Sequence, residues 1–121
     1  MATRSTIGVE LPNGKVKGVY CHWDGYPSGV GDTLLSIDFK DANEVEEFIN
    51  EGDRSTVCVS YKDRGEDDCP PRIWEGVDEY FESDLENWGY VYTQNGEWLV
   101  KDMYEGIKPV PLAHYLETYM N

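Results

Sequence analysis

Apolar and polar residues alternate in two stretches near the start of the chain, residues 5–11 and 16–23. Alternation with a period of two, rich in β-branched and aromatic residues, is typical of half-buried strands. Between the stretches stands Pro12-Asn13-Gly14-Lys15, and Asn-Gly is a strong short-range signal for a hairpin turn. The pattern therefore predicts that the chain opens with a β-hairpin.

A second pair of strand-forming stretches, residues 90–93 and 97–103, flanks Asn95-Gly96. A two-residue turn at this position would place Tyr92 opposite Leu99 and Thr93 opposite Trp98. We therefore predict a second hairpin in that register. Residues 55–61 (STVCVSY) have the composition of a further strand.

Apolar residues recur at helical spacing in four other segments of the chain. Asp41 and Glu44 form a capping-box-like start for a helix over residues 41–50, which Gly52 would end. Residues 30–39 predict a short helix with Asp32 as its N-cap, residues 74–87 predict an amphipathic helix that Gly89 ends, and residues 112–119 predict a closing helix. The order predicts one α+β domain over residues 1–121, with a mostly antiparallel sheet of about five strands and helices packed on one face.

The chain is strongly acidic, with a formal net charge of −14. Six carboxylates and no Lys or Arg lie between residues 75 and 86, and six more lie between residues 41 and 53. Such a surface repels phosphate backbones, so we expect no direct nucleic-acid binding and predict a basic partner. The alternative is that the carboxylates only keep a small protein soluble.

The three cysteines, Cys21, Cys58 and Cys69, are odd in number and not closely paired, which predicts free thiols in a reducing compartment. The apolar runs are short and the first residues lack the hydrophobic region of a signal peptide. These features predict a cytoplasmic protein with no membrane segment.

The stretch VYCHWDGYPSGVG, residues 19–31, contains the most chemically suggestive residues. Neighbours on a strand point to opposite faces, so Cys21 and His22 are not expected to form a catalytic dyad. No four Cys or His residues have the spacing of a zinc site, and no phosphate-binding glycine motif is present. We therefore predict no catalytic residue, no metal and no cofactor. If a ligand binds here, its candidate contacts are Tyr20, His22, Trp23, Asp24 and Tyr26.

The chain resembles a group of small bacteriophage proteins that share the VYCHWDGYP…GVG motif. The resemblance rests on residues 5–10, on residues 19–27, on Gly29-Val30-Gly31 with Leu34-Leu35, and on Asp63-Arg64-Gly65-Glu66 together with Gly96 and Trp98. It implies a setting, the cytoplasm of an infected bacterial host, where many small phage proteins disable host defences.

This setting and the acidic surface together favour an anti-defence protein, such as an anti-CRISPR or anti-restriction inhibitor with DNA-mimic character. It would act stoichiometrically on a basic surface of a host defence protein or nucleoprotein complex. The alternatives are a sponge that sequesters a nucleotide immune signal and a small enzyme that degrades one. Association of the chain with itself stays open. The expected partner-binding residues are Trp74, Glu75, Asp78, Glu79, Glu82, Asp84 and Glu86.

Overall fold

The computed structural model describes residues 3–22, 25–37, 39–50, 52, 71–83, 87–103 and 108–119. One six-stranded sheet with the strand order β3-β2-β1-β4-β5-β6 forms the centre of the molecule. The strands are β1 (Ser5–Glu10), β2 (Val16–Cys21), β3 (Arg72–Trp74), β4 (Trp88–Tyr92), β5 (Trp98–Asp102) and β6 (Val110–Pro111). The helices are α1 (Asp32–Ile37), α2 (Ala42–Ile49), α3 (Val77–Glu82) and α4 (Leu112–Tyr119), and a π-helical turn (Pro27–Gly31) precedes α1. The α+β class is confirmed, with six strands in place of five.

The first hairpin is confirmed, and it lies in the middle of the sheet. β1 pairs antiparallel with β2 on one side and parallel with β4 on the other. Gly14 adopts φ 87° in the turn, a left-handed conformation that glycine enters without steric cost. The other strand pairs are antiparallel, so the sheet is mixed and β1–β4 is its parallel pair. The predicted strand at residues 55–61 lies outside the described residues.

Helix α2 begins as its sequence predicts. The Asp41 carboxylate accepts a hydrogen bond from the Glu44 backbone N–H at 3.1 Å, and the Glu44 carboxylate accepts one from the Lys40 N–H at 3.1 Å. Gly52 follows the helix with φ 92°, and its N–H donates to the Ile49 carbonyl at 3.0 Å. The closing helix α4 is also confirmed. No described helix has the length and apolar character needed to cross a bilayer.

Two helix predictions need correction at their boundaries. Asp32 is not an N-cap, because its backbone is helical (φ −60°, ψ −41°) and its N–H donates to the carbonyls of Pro27 and Gly29. The helical segment instead begins at Pro27, a residue whose fixed φ suits the first helical position. Residues 74–87 are not one helix, because Trp74 pairs with Val16 in β3 and α3 spans only Val77–Glu82.

The C-terminal boundary predicted for the helix over residues 74–87 is also wrong. Gly89 does not end a helix, since it lies within β4 and pairs with Thr6 and Lys101. Trp74 and Trp88 fit the helical period of the sequence, yet each belongs to a strand that flanks α3. Pairing in the sheet therefore outweighs the local apolar period at both ends.

The second hairpin is confirmed, but its register is one residue different from the prediction. Tyr92 pairs with Trp98, and Val91 pairs with Leu99. The turn holds an additional residue, because the Gly96 N–H donates to the Thr93 carbonyl at 3.0 Å with Gly96 at φ 81°. Tyr92 and Trp98 consequently share one face, where their rings meet edge to face with centroids 5.3 Å apart.

The sheet is covered on both faces. Its α2 face carries Ile7, Val9, Val19, Tyr90 and Val100, which pack with residues of α1, α2 and α4 in the larger core. On its α3 face, Val16 and Val91 pack with Tyr80 and Phe81 in a smaller core. The prediction of helices on one face thus holds for α1, α2 and α4, whereas α3 covers the opposite face.

A buried tyrosine hydroxyl anchors each face. On the α3 face, the Tyr80 hydroxyl lies 2.7 Å from the Tyr90 carbonyl and 3.0 Å from the Thr6 carbonyl, within donating distance of both. Gly8 makes room for this ring, because a Cβ at Gly8 would lie 3.2 Å from it. On the α2 face, the Tyr90 hydroxyl donates to the Gly25 carbonyl at 2.6 Å. Burial raises the pKa of both phenols well above the ordinary value.

Replacing Tyr80 by Phe should lower the free energy of unfolding by about 1–2 kcal/mol, because it removes a buried hydrogen bond to the backbone. Tyr92→Phe is a matched control, since its hydroxyl has no hydrogen-bond partner among the described residues. Urea denaturation of the two variants checks this expectation. Equal stability losses in both variants would show that the Tyr80 hydroxyl does not anchor α3.

Candidate functional site

Helix α3 presents three exposed carboxylates of the predicted partner surface. Tyr80 and Phe81 point into the smaller core, so Asp78, Glu79 and Glu82 lie on the solvent side. Glu75, just before the helix, is exposed as well. We call these four residues, Glu75, Asp78, Glu79 and Glu82, the α3 acidic face. Asp84 and Glu86 lie outside the described residues.

An N-cap and a hydrogen bond hold the N-terminal end of the α3 acidic face in place. Gly76 is the N-cap in an extended conformation, and the Glu79 carboxylate accepts a hydrogen bond from the Glu75 N–H at 3.1 Å. Asp78 and Glu79 stand in the first turn, where the helix dipole favours negative charge. The Lys15 ammonium lies 3.9 Å from the Glu75 carboxylate, with both side chains exposed. Asp78, Glu79 and Glu82 have no ion-pair partner within the described ranges.

Trp74 lies beside this face but is half-buried. Its ring meets the Tyr80 ring edge to face with centroids 4.8 Å apart, and the Arg72 guanidinium lies 5.5 Å from its centroid. Much of this tryptophan therefore holds β3 against α3. The neighbouring Ile73 has 51% of its surface exposed, but it points to the opposite face of the strand, where its cross-strand partner Lys17 bonds to Glu46 of α2.

Two of the candidate ligand residues lie in contact with each other. The Tyr20 hydroxyl and His22 Nδ1 are 2.6 Å apart, and both side chains are half-buried. Tyr26 stands at the start of the π-helical turn and is 39% exposed. Trp23 and Asp24 lie outside the described residues. The structure thus joins Tyr20 to His22.

Gly25, in the middle of this stretch, has a structural role. The Gly25 N–H donates to the Thr3 carbonyl at 2.8 Å, and a Cβ at Gly25 would lie only 2.8 Å from that same oxygen. The Gly25 carbonyl in turn accepts the Tyr90 hydroxyl. Gly25 is therefore held between the start of β1 and the centre of the α2 face, where only a residue without a side chain fits.

Cys21 is fully buried on the α2 face, whereas His22 follows Tyr20 on the other side of the strand. The Cys21 thiol therefore belongs to the larger core, whereas the His22 imidazole lies against the Tyr20 hydroxyl. In the part of the chain that the structure describes, no three His, Cys, Asp or Glu side chains gather as metal ligands would.

An open cavity of about 400 Å³ lies elsewhere, between the two hairpin turns and the start of α2. Its lining is formed by Pro12, Lys40, Asp41, Ala42, Asn43, Tyr92, Gln94, Asn95 and Gly96. No sequence pattern predicts this cavity, because Asn95-Gly96 and Asp41 have the character of turn and capping residues. Their juxtaposition follows from the strand order, which no local pattern reveals.

Comparison of the chain with protein-family models, with curated proteins and with solved structures found no match.

Cys21 should react with a soluble alkylating reagent only as fast as the protein unfolds, because its side chain has no exposed surface. His22→Ala should leave that rate unchanged. Peptide mapping by mass spectrometry after timed labelling measures it. Rapid labelling that His22→Ala abolishes would contradict the arrangement on opposite faces.

Proposed function

We propose that this chain is a phage-encoded anti-defence protein, a stoichiometric inhibitor that occupies a basic, nucleic-acid-binding surface of a host immune complex. The α3 acidic face is the observation that carries the proposal. It combines exposed carboxylates with a defined helical spacing, and among the described residues the one ion pair that it forms joins Glu75 to Lys15. The setting in an infected bacterium rests on the resemblance of the VYCHWDGYP…GVG motif.

Spacing supports this use of the helix. Asp78, Glu79 and Glu82 follow one another at intervals of one and three residues within α3, so their side chains lie along one side of the helix, and Glu75 stands just before its N-cap. A row of fixed negative charges on a helix resembles a phosphate backbone in the sign and the regular spacing of its charges. A basic groove that binds phosphates could therefore bind this row. Long-range attraction would speed association, and screening by salt would slow it.

Apolar contact beside the charges would supply affinity. Charge pairs at an interface mainly govern association rate and specificity, while buried apolar and aromatic groups slow dissociation. Trp74 is the half-buried aromatic side chain beside the α3 acidic face, since its ring packs on Tyr80 of α3. We therefore assign the anchoring contact to the exposed part of Trp74.

The experiment compares two triple variants in a bacterium that carries an active CRISPR or restriction system. Asp78→Asn, Glu79→Gln and Glu82→Gln neutralise the three helical carboxylates of the α3 acidic face and keep an oxygen at position 79 for the hydrogen bond from the Glu75 N–H. Asp32→Asn, Glu47→Gln and Glu97→Gln remove the same amount of charge from exposed positions elsewhere. The readout is the plating efficiency of a phage that the defence system restricts.

Expression of the wild-type chain should raise plating efficiency, and the control triple should keep that effect. The α3 triple should lose it by about tenfold or more, because electrostatic association with a basic surface is weakened. Equal protection by both triples would contradict the proposal. Loss of protection in His22→Ala, with the α3 triple fully active, would instead support the nucleotide sponge, as would a nucleotide released from the heat-denatured protein.

A further inference from the structure

We infer that the cavity between the hairpin turns and α2 is a binding site for a small, uncharged ligand rich in hydroxyl groups, of the carbohydrate class. This inference goes beyond the proposed function and uses different residues. The cavity of about 400 Å³ falls within the size range of small-molecule sites in proteins.

The walls of the cavity are held in place before any ligand binds. Asp41 and Glu44 fix the first turn of α2 through reciprocal capping bonds. On the opposite wall, the Gln94 N–H donates to the Glu10 carboxylate at 2.9 Å, and the Gln94 side-chain amide donates to the Glu10 carbonyl. These bonds tie the turn of the second hairpin to the end of β1. A preformed site loses less conformational entropy on binding.

Charge selects the ligand class. The lining contains one cation, Lys40, and one anion, Asp41, so it is neutral in sum on a chain of net charge −14. An anionic ligand such as a nucleotide would meet the repulsion of the whole molecule with a single nearby lysine to offset it. An uncharged ligand is free of this penalty.

The polar groups on the walls match hydroxyls. The Asn43 and Asn95 carboxamides form no hydrogen bond within the described ranges, and each offers a donor and an acceptor in one plane. Neighbouring hydroxyls of a sugar ring also donate and accept. Pro12, Ala42 and Tyr92 contribute apolar surface, on which the C–H face of such a ring packs.

The test is a titration of the ¹⁵N-labelled protein with a panel of mono- and disaccharides, followed by amide chemical shifts. At least one saccharide should shift the amides of the lining residues saturably and leave those of α3 unchanged. Asn43→Ala should raise the apparent Kd by at least about fivefold, and Asn43→Trp should prevent binding by filling the cavity. Thr118→Ala, an exposed polar position on α4, should bind as the wild type does.

Two results would overturn the inference. One is the absence of localised, saturable shifts with every saccharide at concentrations of tens of millimolar. The other is a titration in which adenosine monophosphate, and no saccharide, shifts the same amides. Because the α3 triple variant is tested by phage plating, failure of this site leaves the proposed function unaffected, and the reverse also holds.

Discussion

The hydroxyl of Tyr90 donates to the Gly25 carbonyl at 2.6 Å from the centre of the sheet, and the other elements depend on this contact. A buried phenol must find an acceptor, because an unpaired hydroxyl in an apolar core costs free energy. Its acceptor belongs to a glycine that also bonds to Thr3. The contact therefore fixes where the chain leaves β2, where the π-helical turn begins at Pro27, and how α1 lies on the α2 face.

On the α3 face of the sheet, Tyr80 likewise bonds to the backbone through a buried hydroxyl. Its hydroxyl reaches the carbonyls of Thr6 and Tyr90, so the ring that anchors α3 also bonds to the backbone of the parallel strand pair. The Lys101 ammonium, which donates to the Phe81 carbonyl at 3.0 Å, stabilises the far end of α3. Aromatic burial thus stabilises a molecule whose net charge of −14 opposes compaction, and the carboxylates of α3 are left free to face solvent.

Patterns that depend on neighbouring residues predicted the structure well. Asn-Gly located both hairpins, and the Asp41–Glu44 pair located the start of α2. The failures arose where contacts distant in sequence decide. Trp74 joins β3 because Val16 pairs with it, and the Tyr92–Trp98 register follows from a turn one residue longer than the one predicted. For the candidate site, the exposed carboxylates of α3 were predictable from their spacing, whereas the cavity needs the packed order of β1, β4 and α2.

The central claim is that the VYCHWDGYPSGVG stretch is mainly structural and that the α3 acidic face is free for binding. The most direct measurement is the free energy of unfolding of Tyr90→Phe and of the α3 triple variant, side by side in urea. Tyr90→Phe should lose about 1–2 kcal/mol, and the α3 triple should stay within about 1 kcal/mol of the wild type, because lost dipole interactions and relieved repulsion offset each other. A large loss in the α3 triple with none in Tyr90→Phe would contradict the account.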